Sequence, residues 1–424
     1  MVTSLFKGFV DFVVLCLLRL PAFPSERSEK DQGLAKPLRA TTAAFLNVNT
    51  RYRGQPNQLN KHANYWWESC GHTLAVLLEK AGYPDQIQHQ HLEFIRIITP
   101  HLGPSHVPGR QQHWKSFMTD DHTPIELSWD WRTGNKLPKI RFSIEPVGLH
   151  AGTPLDPDNQ SAASRLQETL SGILSEKSME WLRHFQEKLD GPETRTGAEE
   201  VEGHRSRQFY AFDLEEDGSI MSKAYFFPGF KARKTHQSTL DVIMVAIKTA
   251  PASTPEELQA LEVFREFTQD ASSPFEINML AIDLVAPADS RFKIYFRIRD
   301  TSFASVINTI HLNNRLRYPT LNHEVLRNLY FSLLDRPATV DNQIESDDVQ
   351  LPVMDHRTAG ILYNVEFRYQ SKVPKVKVYL PVRHYSQNEA AVMQALDAHF
   401  NGTESSTGQR DNMLRYKDAI GMIL

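Results

Sequence analysis

"SRFKIYFRIRD", Ser290 to Asp300, sets Arg291, Lys293, Tyr295 and Arg297 at every second position, with Phe292, Ile294 and Phe296 between them. Side chains alternate across a β-strand, so this spacing predicts a strand with one cationic and phenolic face and one packing face. Taken alone, the same pattern fits any antiparallel strand with one wet side. Recurrence makes it informative. "KIRFSIEP" brings Arg141, "SKAYFFP" brings Lys223 and Tyr225, and "PKVKVYLPV" brings Lys377 and Tyr379. Lys223, Lys293 and Lys377 each stand two positions before a tyrosine, which puts both side chains on one face.

Each of these strands is the second of a pair. "PIELSWDW" precedes "KIRFSIEPV" across a turn containing "TGN"; "QFYAFDL" precedes "SKAYFFP"; "INMLAIDLV" precedes "RFKIYFR"; "NVEFRYQ" precedes "PKVKVYLPV". Between the pairs the apolar spacing turns helical. "YWWESCGHTLAVLLEKAG" sets Trp66, Leu74, Leu77 and Leu78 ahead of Gly82, and "HLEFIRII" follows. The stretch from Ser161 to Leu189 gathers Leu166, Leu170, Trp181, Leu182 and Phe185 on one side, and "PEELQALEVFREFT" and "NHEVLRNLYFSLL" introduce the later pairs. Helix-then-hairpin units thus repeat at very roughly 70 to 85 residues. Consecutive hairpins joined by helices predict an α+β fold, an antiparallel sheet with its helices on one side, closed into a barrel so that no edge is left. Phe292, Ile294 and Phe296 then face the helices, while Arg291, Lys293, Tyr295 and Arg297 face a polar lumen.

Composition narrows the class. A chain of 424 residues with 41% hydrophobic content can bury a large core, and a formal charge of -4 argues against a protein that coats nucleic acid. Cys16 and Cys70 are too few for a disulfide framework or a structural zinc site, which fits a cytoplasmic setting. The apolar run from Phe9 to Leu18 looks like a signal-peptide core or short anchor, but Asp11 interrupts it and it falls short of the roughly 20 residues a membrane span needs. We therefore expect residues 1–62 to be a leader and linker, and 63–424 to be one barrel domain.

A lumen lined by Arg141, Lys223, Arg291, Lys293 and Lys377 suits an anion. Arginine and lysine give charge-assisted bonds to phosphate, and the faces of Tyr225, Tyr295 and Tyr379 can stabilise a nearby carbocation. An allylic diphosphate supplies both, because its ionisation yields a diphosphate and a cation that an aromatic ring can capture. Glu126, between Ile125 and Leu127 in the first strand, could accept a hydrogen bond from the acceptor ring and take its proton as aromaticity returns. A noncatalytic barrel that binds an isoprenoid diphosphate or another polyanion would need the cations but not Glu126. Other chemistry finds little support: "TDDHTP" pairs Asp120 with Asp121 but Pro124 leaves a D-D-x-x-D motif unfinished, and His89 and His91 have no clustered third ligand.

"SFMTDDHTPIELSWDW", "IRFSIEPVG", "FDL" followed by "KAYFFP", "IDLVAPADSRFKIYFR" and "PKVKVYLPV" together resemble the dimethylallyltryptophan synthase family of fungal aromatic prenyltransferases, over roughly Tyr65 to Phe400. The resemblance implies a ten-stranded antiparallel barrel of ααββ units, needing no metal or other cofactor, that moves a prenyl (dimethylallyl) group from an allylic diphosphate to an aromatic acceptor. It implies no nucleic-acid or membrane partner, an indole-containing or polycyclic phenolic acceptor, and is compatible with a homodimer. By the same resemblance Glu126 matches the acceptor-binding acid, Arg141, Lys223, Arg291, Lys293 and Lys377 match diphosphate-binding positions, and Tyr225, Tyr295 and Tyr379 match a tyrosine shield around the cation. Three departures stand out. Gln208, Phe209 and Tyr210 occupy the place where some relatives add a lysine, and Asn278 and Met279 stand where relatives acting on free tryptophan carry an arginine. The third is that no final hairpin follows "HYSQNEAAVMQALDAHF", so the fifth unit reads as incomplete and the chain is expected to be poorly soluble or nearly inactive.

Overall fold

The computed structural model describes residues 10–14, 41–52, 60–107, 111–132, 135–190, 201, 203–251, 258–270, 275–334, 339–340, 343–344, 346–402 and 405–423. Its strands are β1 (Val10–Val14), β2 (Ile125–Asp130), β3 (Lys139–Ile144), β4 (Gln208–Leu214), β5 (Ile220–Phe226), β6 (Phe275–Asp283), β7 (Phe292–Ile298), β8 (Thr339–Val340), β9 (Gln343–Ile344), β10 (Ile361–Phe367) and β11 (Lys375–Leu380). One sheet runs β1-β11-β10-β7-β6-β5-β4-β3-β2, and β8 pairs separately with β9. The predicted hairpins are present as β2–β3, β4–β5, β6–β7 and β10–β11, each antiparallel. The class is α+β, as the alternation of helices and hairpins implies.

The period-2 pattern decides which way each strand faces. Phe292, Ile294 and Phe296 are fully buried on the helix side. Trp181 and Phe185, from the helix Glu176–Leu189, meet Phe292 at ring-centroid distances of 5.8 and 5.9 Å, and Phe264 meets Phe296 at 5.2 Å. Burying an aromatic ring of this size contributes about 1.5–3 kcal/mol each, which holds the helices to the sheet and commits the alternate residues to the other face. The long amphipathic stretch after Ser161 divides into helices Gln160–Ser171 and Glu176–Leu189; Ser175 starts the second by accepting from the Ser178 backbone N–H. The first helical block ends at Gly82, whose φ of +88° is a left-handed cap that favours glycine.

Closure is where expectation and structure part. Among the described residues the sheet is open, with β2 at one end and β1 at the other. Among the described residues no strand follows β11, and the later ones have helical rather than alternating spacing: Met413, Tyr416, Ala419 and Ile423 are buried on one side of the helix Thr407–Ile423. This helix and its neighbour Glu389–Asn401 lie over the end of β2. Tyr416 packs on Trp129 and Trp131 at 5.5 and 4.7 Å, Phe400 stacks on Trp131 at 5.5 Å, and Asn412 Nδ2 donates to the carbonyls of Trp131 and Lys136 at 3.2 and 2.9 Å.

The stretch expected as leader and linker also carries structure. β1 pairs in parallel with β11, from Val10 opposite Val376 to Val14 opposite Leu380. The helix Ala43–Tyr52 buries Ala44, Phe45 and Val48; Phe45 stacks on Trp67 at 5.0 Å, and the Trp67 indole donates to Asn49 Oδ1 at 2.6 Å. The rest of 1–62, including the apolar run beyond Val14, lies outside the described residues apart from 41–42 and 60–62. Among the described residues no helix is long and apolar enough to cross a membrane.

Candidate active site

The concave face of β2–β7, β10 and β11 encloses a cavity of about 530 Å³. Glu126, Arg141, Lys223, Tyr225, Arg291, Lys293, Tyr295, Lys377 and Tyr379 all line it, so the residues assigned to acceptor, diphosphate and cation in the sequence come together in one place. Register explains the convergence. Ala211 faces Lys223, Lys223 faces Asp283, Ala281 faces Lys293, Lys293 faces Glu366, and Asn364 faces both Tyr295 and Lys377 across neighbouring strands. Arg297 is different. It shares the lumen side of β7 but stands near the strand's end, where its guanidinium donates to the carbonyls of Thr358, Ala359 and Gly360 at 2.8, 3.4 and 3.4 Å.

The expected cationic lining is a belt of ion pairs. Asp213 holds Lys223, and Arg141 at 3.2 Å; Asp283 holds Arg291, and Lys293 at 2.8 Å; Glu366 meets Arg291 at 3.5 Å and Lys377 at 3.6 Å; Asp130 bonds Arg141. Burial alone would raise these acids. For Asp213 it is overcome by Lys223 and Arg141, which hold the carboxyl well below the usual range. Asp283 is brought down to about 2 by Lys293 and Arg291 against the same penalty, and Glu366 to about 2, chiefly by Lys377. Lys223 moves the other way: burial brings its ammonium down to about 7, with Asp213 opposing and Lys293 and Arg141 assisting. These carboxylates escaped the sequence reading although Asp213 stands in "FDL", Asp283 in "IDLV" and Glu366 in "NVEF". The available signal was an acid on the first strand of each later hairpin, on the same face as the cations of the second.

Beside the belt lies an aromatic layer. The Tyr225 and Tyr295 rings are 5.9 Å apart, Tyr295 and Tyr379 5.8 Å, and Phe209 stacks on Tyr225 at 4.1 Å. Asn364 Nδ2 donates to the Tyr379 hydroxyl at 2.7 Å, and that hydroxyl donates to Tyr295 at 3.4 Å. Burial raises the Tyr225 and Tyr379 phenols well above their ordinary range, so both present neutral rings. Ala211 is a small residue of this face that lines the cavity, and Ala281 is buried in the same cluster.

Glu126 has a different setting from the other acids. It is half-buried, lines the cavity opposite Ser143, and among the described residues makes no hydrogen bond or ion pair. Burial pushes its carboxyl up to about 7. A lone acid near neutrality, within a cavity that also holds cations and neutral phenols, is suited to accept a proton from a bound ring.

The model of the family described as "Tryptophan dimethylallyltransferase" matches residues 62–418. The chain is 33% identical to 4-O-dimethylallyl-L-tyrosine synthase of Claviceps purpurea over 351 residues, 80% of this chain and 76% of that one. It is 33% identical to 7-dimethylallyltryptophan synthase of Aspergillus fumigatus over 353 residues, 79% of this chain and 73% of that one. Among solved structures, NotF in complex with brevianamide F and DMSPP aligns with a TM-score of 0.72 at 22% identity, covering 89% of each chain, and AnaPT from Neosartorya fischeri with 0.69 at 24%, covering 84% of each. Pattern, fold and comparison agree: the chain belongs to the tryptophan dimethylallyltransferase family.

Proposed function

We propose that this protein is a metal-independent aromatic prenyltransferase that moves the dimethylallyl group of dimethylallyl diphosphate to an indole-containing or polycyclic phenolic acceptor. The C–O bond to the diphosphate breaks and leaves an allylic cation. A carbon or oxygen of the acceptor bonds to that cation, and the proton displaced passes to Glu126. Arg141, Lys223, Arg291, Lys293 and Lys377 take up the charge of the departing diphosphate, the part a bound magnesium would otherwise play. Tyr225, Tyr295 and Tyr379 face the cation with neutral π-systems and exclude water. The observation that carries this reading is the burial-raised Glu126, without an ion pair among the described residues, in the same cavity as the ion belt; a protein that merely stores a diphosphate has no use for it. The belt supports metal independence, because Asp130, Asp213, Asp283 and Glu366 are already engaged with cations.

The test is to incubate the protein with dimethylallyl diphosphate and a panel of indoles, tyrosine derivatives and polycyclic phenols, in excess EDTA, and to weigh the products. An acceptor heavier by one prenyl unit, with diphosphate released, is expected. Binding without product would favour a noncatalytic barrel, and activity that returns only with magnesium would remove the metal-independent part.

The pH profile should be a narrow bell in kcat/KM. Glu126 gains its charged, proton-accepting form as pH rises through about 7, and Lys223 loses its charged, diphosphate-binding form over the same region. Lys223→Arg keeps its charge and should extend activity to higher pH. An unchanged alkaline limb in that variant would mean that Lys223 does not set it.

A further inference from the structure

Trp114, Ser116, Phe117 and Met118 precede β2 and cross the end of the lumen away from the ion belt. Phe117 shows where the segment lies: its ring meets Phe209 at 5.2 Å, Phe227 at 4.6 Å and His204 at 5.3 Å, at the starting end of β4 and the finishing end of β5. Met118 is buried in the same apolar cluster as Phe209, Tyr225 and Tyr295. Phe117 and Met118 line the cavity with Glu126, so the segment closes the compartment in which an acceptor would meet that acid.

Two groups from opposite sides of the sheet hold this segment. Glu145, which follows β3 and is 2% exposed, accepts from Trp114 Nε1 at 3.0 Å, from Ser116 Oγ at 2.6 Å and from the Phe117 backbone N–H at 3.3 Å. Across the lumen, Arg357, which precedes β10, donates to the Phe117 carbonyl at 3.2 Å. A buried carboxylate satisfied by three donors from one short segment fixes it far more firmly than loop packing would.

We propose that Trp114–Met118 is a strap that sets acceptor specificity, with Phe117 and Met118 covering the bound ring and Glu145 acting as the positioning residue that holds the strap at its distance from the tyrosine layer. This rests on the prenyl-transfer reading. A planar aromatic acceptor lies between the strap and the tyrosines with its N–H or O–H edge at Glu126. The strap therefore decides which ring atom is presented to the cation, while the diphosphate at the far end is held independently of it.

The experiment measures KM for dimethylallyl diphosphate, KM for the best acceptor of the panel, and the ratio of prenylated regioisomers. Glu145→Ala should raise the acceptor KM about tenfold and spread the product over more ring positions, with the diphosphate KM held within about twofold. Glu145→Gln keeps an oxygen for the indole or hydroxyl donor and should recover most of the difference. Phe117→Ala leaves the Glu145 contacts in place and should still change the regioisomer ratio, so it decides the matter if Glu145→Ala does not fold. Both KM values rising together, or an unaltered product pattern in Phe117→Ala, would overturn the strap. A wild-type protein that prenylates no acceptor removes the transfer reading itself, and the strap with it; a wild type that prenylates while the variants behave alike removes the strap alone.

Discussion

Glu126→Ala should lower turnover by about 10²- to 10⁴-fold, the usual cost of losing one positioned proton acceptor, while the protein still binds dimethylallyl diphosphate. The split follows from position. Glu126 makes no ion pair with the belt among the described residues, so its loss leaves Lys223, Arg291 and Lys293 with their carboxylate partners. It also leaves no buried charge uncompensated, and the variant should be as stable as wild type. Arg291→Ala and Lys293→Ala should show the reverse ranking, with weakened diphosphate binding as the first effect. Calorimetric titration with inorganic diphosphate beside single-turnover rates separates the two; normal turnover in Glu126→Ala would remove it from the mechanism.

Asp283→Ala should produce the largest loss of stability. The side chain is almost fully buried and holds both Arg291 and Lys293. Removing one partner of a buried ion pair costs about 3–5 kcal/mol, because the remaining charges lose their compensation. The wild-type contribution is fully present above the unfolded carboxyl value of about 3.9 and is lost as pH falls through the folded value of about 2. At neutral pH the variant should therefore melt well below wild type. Added inorganic diphosphate should raise its melting temperature by more than it raises that of wild type, since the ligand restores the missing negative charge and finds Arg291 and Lys293 free of Asp283. Equal ligand-induced shifts in the two proteins would mean that the diphosphate lies elsewhere.

The two acids differ in how far the sequence disclosed them. Glu126 and the cations were legible because alternation along a single strand assigns a residue to a face without knowledge of its neighbours. Asp213, Asp283 and Glu366 lay on the correct strands, but their meaning depends on which residue stands opposite. That depends on turn length and on the register shift between Ile277 and Met279, which no local pattern reveals. Arg297 was assigned to the right face, but its partners could not be read from the strand, because a loop arriving from Thr358 to Gly360 supplies them. The helix Ala43–Tyr52 did carry a signal, with Ala44, Phe45 and Val48 at helical spacing, too short to stand out among polar neighbours. The missing final hairpin was legible in the sequence, as the lack of paired alternation after the last helices, whereas the way the sheet ends, with β1 beside β11 and β2 at the other end, depends on long-range pairing beyond any one hairpin.

The parallel ladder between β1 and β11 joins the first and the last strands of the sheet. Such a contact closes nearly the whole chain into one loop, and the entropy of that closure is recovered only once β11 is itself in place. During synthesis β1 emerges early and has nothing to pair with until β11 follows, so for most of that interval it is an unmatched strand. The topology predicts an order of assembly: hairpins form locally, the sheet grows toward β11, and β1 docks last. A cell making this protein has to keep two complementary edges apart until then, and the yield of folded chains will track how quickly that final ladder forms relative to contact between neighbouring molecules.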